Sequence, residues 1–565
     1  MLPAALNWSF RLSEETLDPL TADAKRIRRP YTLLQRWHDE GWRERVADGV
    51  FLALLLIPSL WLIGYLWPPL NHDSAAILYA AKRMLAGDVL YRDIIDVNPP
   101  LIFLLSLIPE ALARLTGIDG TKWLVVLVSA AIIAAFFLCR RVLSYMPLGR
   151  EPLTSLVLPA LILFLLAVFP AGDFTQREHI MVVLSAPYVL LAAARADRDV
   201  LPLRLRIPLA IMAGIGFGLK PHFVLIPLTI ELYVLYRQGW RDGLRDIVPW
   251  VVGLTLAAHV VIALTVTPDY FRIALPLTFK LYTKVSDNSL LSILDGPYLG
   301  PTIVALLPLV PAAFILSHSR LVQTLALFSV GAVISATAQG KGWSYQSYPA
   351  MAATLMLGAV FLSNMIDRYL PTDSTARRLP VAALAATFML LLYYQAALFL
   401  PPFDKQRDYE DSIVARLAHI VEREAPNRTA LVLSPGIYPI YPLANYTDIR
   451  LTQRFLDMWP IQGIYAGCDD WGTLYHSLES MGPGEKFMFR VVPEDFAKGK
   501  PDLVIIDTIA GIPRCQATGF SYLDYFQRNP LFAKAFSKYD KLMEIDRYEI
   551  YQRRKPESDS HPVTP

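Results

Sequence analysis

The sequence predicts a mainly α, polytopic membrane protein, with about eleven transmembrane helices, one juxtamembrane helix and a small C-terminal soluble α/β domain. Three observations lead there. Of 565 residues, 54% are hydrophobic and 18% are charged, against about 25% charged in an ordinary soluble chain. Mean hydropathy is +0.37. Up to residue 400 the apolar residues gather in long runs, and beyond it Asp, Glu, Lys and Arg return. There is too little polar side chain to cover a soluble surface, which excludes a cytosolic enzyme and a disordered chain. The length leaves residues over for a folded domain, unlike a simple channel subunit. A net charge of +3 is no nucleic-acid footprint. Cys139, Cys468 and Cys515 make neither a disulfide scaffold nor a zinc site. Cys468 and Cys515 could pair in an oxidising compartment.

Residues 1–45 are polar, with Lys25, Arg26, Arg28, Arg29, Arg36, Arg43 and Arg45. This segment is too long and too charged for a cleavable signal peptide. Its basic flank stays in the cytoplasm, so the first span, 46–67, runs outward and ends in interfacial Trp61, Tyr65 and Trp67. Apolar runs follow near 99–116, 121–139, 152–171, 179–195, 205–219, 223–236, 247–267, 297–317, 321–339, 349–366 and 379–400. Basic residues collect at Arg140, Arg141 and Arg150, at Arg195–Arg206, at Arg237–Arg245, at Arg320 and at Arg368–Arg378. All of these become cytoplasmic if 99–116 does not cross. That run is short of the roughly 20 residues a span needs, and it holds Pro109, Glu110 and Arg114. It reads as a helix lying on the outer face.

The outer segments are then 68–98, 172–178, 220–222, 268–296 and 340–348, and nearly every ionisable residue that interrupts the apolar pattern falls in them. A charge at mid-span costs on the order of 3 kcal/mol, so charges kept near spans tend to line a cavity or site. One outer cavity is the economical reading. The organisation is thus a cytoplasmic segment 1–45, a membrane domain 46–400 with an outer loop 68–120, and an extracytoplasmic α/β domain 401–565. In the last, a helix is expected at 408–424, strands at 430–434, 502–507 and 547–552, and helices near 521–537.

Asp73 follows the first span and opens an amphipathic helix. It could cap that helix or serve as a general base at the mouth of the bundle. Asp93 and Asp96 stand before Pro99 and Pro100. They could hold a divalent cation, orient a sugar or sit in a solvated turn. Asp73 and Asp96 are the candidate metal ligands. In GDFTQREH, Arg177 offers a planar fork for phosphate, Glu178 can lock it and His179 could donate to phosphate, or the segment is a charge-paired hairpin. Gly214, Gly216 and Gly218 precede Lys220, Pro221 and His222. No strand precedes them, so this is no dinucleotide fingerprint. A break here needs a cavity or close packing. Lys220 could anchor phosphate or snorkel to the interface. Lys341, Trp343 and Tyr345 stand at another span end, as interfacial residues or as a sugar platform with added positive charge.

These residues resemble the GT-C superfamily of membrane glycosyltransferases, among them the lipid A aminoarabinose transferases and the protein mannosyltransferases. In those families an acidic motif follows the first span, as WPPLNHD does at Trp67–Asp73. GDVLYRDIIDVNPPL resembles the next part of the same loop, and the Asp173–Glu178 loop, the glycine-rich half-span ending in Lys220 and an outer C-terminal domain also match. The likeness is good over about 46–267 and holds in outline beyond. Many relatives carry two adjacent acids where this chain has His72 and Asp73, and the aminoarabinose enzymes place an acid and a Lys where it has Val97 and Asn98.

The resemblance implies inverting transfer of a sugar from a polyprenyl-phosphate donor to an envelope glycan, lipid or protein acceptor. This would happen on the outer face of a bacterial inner membrane, with Asp73 as base and Arg177, Lys220 and His222 beside the leaving phosphate. A polysaccharide polymerase or ligase, and a non-enzymatic lipid-linked glycan transporter, are the rival readings.

Overall fold

The computed structural model describes residues 56–150, 154–286, 288–369, 402–466, 474–512 and 519–554. The basic segment 1–45, most of the first span, the run 379–400, Cys468 and Cys515 lie outside the described residues.

Each apolar run from 99 to 366 is helical. Five helices among the described residues are long and apolar enough to cross a membrane unaided: Gly120–Leu143, Arg177–Ala196, Ile247–Val266, Arg320–Ala338 and Ser344–Tyr369. The expected number is about eleven; of those spans, 46–67 lies partly and 379–400 wholly outside the described residues, and others are helices shorter than a span needs. Lys220 and Pro221 separate the expected runs 205–219 and 223–236, which form Leu203–Gly218 and Leu225–Gln238, of 16 and 14 residues, each below the roughly 20 a span needs. Leu299–Ile315, with Pro308 and Pro311 inside it, is likewise short.

The glycines before Lys220 are there for packing. A Cβ on Gly214 would lie 2.7 Å from the Thr255 Cβ, one on Gly216 would lie 3.1 Å from the Leu184 Cβ, and one on Gly218 would lie 2.2 Å from His259 Nδ1. The Leu203–Gly218 helix therefore sits tightly between Arg177–Ala196 and Ile247–Val266, as small residues allow between membrane helices.

Arg195, at the far end of the Arg177–Ala196 helix, holds Glu231 with two bonds of 2.7 and 2.8 Å and Asp246 with one of 2.6 Å. Arg206 also reaches Asp246. These pairs tie together the segments expected on one membrane face, with every buried charge partnered.

At the other end, the helix His72–Leu85 is almost wholly buried, and the helix Pro100–Thr116 starts on a proline and stops at Gly117 with φ 73°. The C-terminal residues form a five-stranded mixed sheet ordered β2-β1-β3-β5-β4. Its strands are β1 (Thr429–Leu433), β2 (Arg450–Leu451), β3 (Leu503–Asp507), β4 (Tyr539–Ile545) and β5 (Tyr548–Arg553). β1 runs parallel to β2 and β3, whereas β5 is antiparallel to β3 and β4.

This part packs on residues 75–95. Leu451 N donates to Tyr79 Oη at 2.7 Å, Asn445 Nδ2 to the Ala75 carbonyl at 3.1 Å, and Arg83 Nη1 to the Gln453 carbonyl at 3.2 Å. Ile95 pairs with Phe455 as an isolated parallel bridge, with Ile95 N 2.8 Å from the Arg454 carbonyl oxygen.

Candidate active site

The helix that carries Asp73 is capped by Asn71, whose side chain accepts from the N–H groups of Asp73 and Ser74 at 3.0 and 3.3 Å. The Asp73 carboxylate is therefore spared that task. It is 9% exposed. One oxygen accepts from Gln176 Nε2 at 2.7 Å and lies 3.7 Å from Arg177 Nη2, and the other lies 3.7 Å from His72 Nε2.

Arg177 starts its own helix, and its side chain is 5% exposed. Nη1 donates to Asn98 Oδ1, and the guanidinium has the carboxylates of Glu178, Asp73 and Asp96 around it. Asp96 is buried, and one of its oxygens accepts from Asn98 N at 2.7 Å. Burial raises its pKa, against the pull of the Asn98 N–H and of Arg177. Asp173, in the turn before Arg177, is pushed up to about 7 by burial and by the Glu178 and Asp73 charges.

Lys220 Nζ lies 2.6 Å from Glu178 Oε1 and 3.0 Å from Gln339 Oε1, and 5.1 Å from the centre of the Tyr345 ring. Burial pulls this ammonium down to about 8, although Glu178 works the other way. Its third N–H has no partner among the described residues. Nor do the buried atoms Gln176 Oε1, Arg177 Nε, Glu178 Oε2 and Gln339 Nε2. Buried polar atoms are seldom left unpaired, so a knot of them beside two cations marks a place built to take a polar ligand.

The remaining expected residues fall outside this knot or at its edge. Asp93 accepts from Val89 N at 2.9 Å and closes a turn. His179 uses both ring nitrogens internally: Nδ1 accepts from Thr175 N at 3.1 Å, so Nε2 carries the proton and donates to the Leu166 carbonyl at 2.7 Å. Lys341 Nζ donates to the carbonyls of Tyr282, Thr283 and Val285, fastening the turn that carries Tyr282. His222 is half-buried beside Lys220, and both burial and that cation lower its pKa. Trp343 is 5.8 Å from the Tyr345 ring and 6.5 Å from the Tyr282 ring.

Sequence reasoning missed Gln176, Asn98, Gln339, Tyr282 and Asp457. Tyr282 shares its surroundings with Arg177, Asp73, Asp96 and Asp457. Asp457 is 7% exposed, and burial with the nearby Asp96 and Asp73 charges raises its pKa strongly. The first three stand one or two positions from residues that were singled out. Nothing local marks the other two.

Among the described residues no three His, Cys, Asp or Glu side chains converge as metal ligands. Between Asp73 and Asp96 the positive charge comes from Arg177. A cavity of about 510 Å³ lies elsewhere, among Asp197, Arg320 and Arg368. Asp197 follows the last residue of the Arg177–Ala196 helix, about 30 Å from Arg177 at 1.5 Å per residue.

The architecture has solved counterparts. ArnT from Cupriavidus metallidurans bound to undecaprenyl phosphate superposes with a TM-score of 0.51 at 13% identity, over 89% of this chain and 97% of that one. The same protein in the apo state gives 0.50 at 12% identity, over 90% and 98%. The expected fold, that of the aminoarabinose-transferase relatives, is the fold found. No protein-family model and no curated protein matches the sequence.

Proposed function

We propose that this chain is an integral membrane glycosyltransferase of the GT-C type. It would move a sugar from a polyprenyl-phosphate donor to an envelope glycan, lipid or protein acceptor on the extracytoplasmic face. The observation that carries the reading is convergence. Residues from the expected outer segments 68–98, 172–178, 220–222 and 268–296, together with Tyr345, meet in one buried polar cluster at one end of the helices. A transporter would instead place its charges near the bilayer midplane. The fold's counterpart bound to undecaprenyl phosphate supports a lipid phosphate as the donor's carrier.

In this reading Asp73, free of the capping role, takes the proton from the acceptor hydroxyl. The hydroxyl oxygen attacks the anomeric carbon from the face opposite the phosphate, and the configuration inverts. The bond between that carbon and the phosphate oxygen breaks, and polyprenyl phosphate leaves with the electron pair. Negative charge grows on it as the bond stretches, so the spare N–H groups of Arg177 and Lys220 would favour the transition state over the ground state. Gln176 would hold Asp73 in place. The lipid tail would lie between helices, which gives a physical reason for placing a sugar transferase in a membrane.

The test is mass spectrometry of envelope glycans and lipids from cells with and without the chain. Loss of a single-monosaccharide increment from one component supports the reading. Unchanged envelopes would overturn it, and loss of whole oligosaccharide blocks would point to a diphosphate-linked donor and a polymerase or ligase.

A further inference from the structure

The C-terminal segment does more than cover the site. The Ile95–Phe455 bridge sets residues 455–459 beside the outer loop, one position from Asp96. Asp457 is buried there, and its carboxylate accepts from the Trp459 backbone N–H. Trp459 is 5% exposed and meets the Tyr282 ring edge to face, at 5.6 Å and 88°. Its indole N–H is buried and has no partner among the described residues.

The contact is rigid. A Cβ on Gly463 would lie 2.3 Å from the Leu281 carbonyl oxygen, so the Trp459–Ile464 helix rests directly on the backbone beside Tyr282. Lys341 holds the same turn through the Tyr282 and Thr283 carbonyls.

We propose that Asp457, Trp459 and Tyr282 form the subsite for the transferred sugar, so that the C-terminal domain supplies part of the specificity. The proposal rests on the glycosyltransferase reading and adds a substrate class to it: a neutral, hydroxyl-bearing monosaccharide. Asp457 accepts from a sugar hydroxyl, the Trp459 indole N–H donates to a sugar oxygen, and the Tyr282 ring, with the Lys341 ammonium 5.1 Å from its centre, walls the subsite. A few well-placed polar groups on an aromatic wall are what such a ligand needs. Asp73 and the cations deal with the acceptor and the phosphate, whereas these three deal with the ring between them.

The experiment compares two kinds of lipid on the purified full-length chain in nanodiscs. Binding is measured for undecaprenyl phosphate and for the same lipid carrying glucose, mannose or arabinose, in wild type, Asp457→Ala and Trp459→Phe. Wild type should bind one glycosylated lipid more tightly than the bare phosphate. Each variant should lose about tenfold of that increment, in line with one lost hydrogen bond to a charged or buried partner, while binding bare undecaprenyl phosphate as wild type does. A purely structural role would weaken both lipids together, and that result overturns the subsite. So do unchanged variants, and so does a wild type with no increment for any of the three sugars. A wild type that binds no undecaprenyl phosphate overturns the polyprenyl-phosphate reading itself.

Discussion

Lys220 and Glu178 come from two different helix ends and meet at 2.6 Å, with the Glu178 side chain fully buried. Removing one partner of such a pair strands a charge, at a cost of about 3–5 kcal/mol, whereas removing both costs far less. Lys220→Met should therefore lower the thermal unfolding midpoint clearly, and adding Glu178→Gln should restore most of it. Neither protein should recover transfer, because the phosphate contact is gone in both. A double variant that is both stable and active would make the pair purely structural.

Lys220 also predicts a pH dependence. Its pKa is pulled down to about 8, so the ammonium is present below that value and lost above it. Donor KM should rise as pH goes from 7 to 9, and Lys220→Arg, which keeps its charge, should flatten the rise. A wild-type KM level across this range would remove Lys220 from donor binding.

Asp93 and Asp96 should separate. Asn at position 93 can still accept from Val89 N, so Asp93→Asn should transfer sugar within about twofold of wild type, as at most surface positions. Asp96 is buried close to Arg177, and Asp96→Asn should cost about tenfold or more by disturbing that guanidinium. Initial rates of the two purified variants check this, and equal losses would contradict the placement of Asp93 in a turn.

Asp173 bears on stability. Its folded pKa is raised to about 7 from an ordinary value near 3.8. The stabilising effect of its bound proton is complete below the ordinary value and fades as pH rises through 7. Asp173→Asn should thus unfold at a higher temperature than wild type at pH 8, by an amount reflecting about 4 kcal/mol, and show no gain near pH 4. Equal midpoints at both pH values would mean that the carboxylate is already solvated.

The helices were legible because an apolar run such as 247–267 needs no partner to declare itself, and DLVIID at 502–507 announced β3 in the same way. β4 was not legible: Tyr539–Ile545 is an edge strand with Asp540, Lys541 and Glu544 exposed, and its sequence lacks a continuous apolar face. At the site, Asp73, Arg177, Glu178 and Lys220 stood out as charges among apolar residues. Asp457 did not, because acids are ordinary in a soluble-looking domain and its partner strand lies at Ile95. Lys341 had the right charge, yet the backbone carbonyls of the Tyr282 turn claim it, and no local pattern reveals a contact of that kind. His179 was similarly claimed by Thr175 and Leu166.

The central claim is that Asp73 is the base of a sugar transfer. Since Asn71 caps the helix, Asp73→Asn should insert and fold as wild type does. The decisive measurement is mass spectrometry of the envelope component that carries the sugar, in cells producing either wild type or Asp73→Asn at matched levels. Loss of a general base costs about 10²–10⁴-fold in rate, so the account predicts that the monosaccharide increment present with wild type falls to trace amounts with the variant. An increment of the same size in both would contradict it.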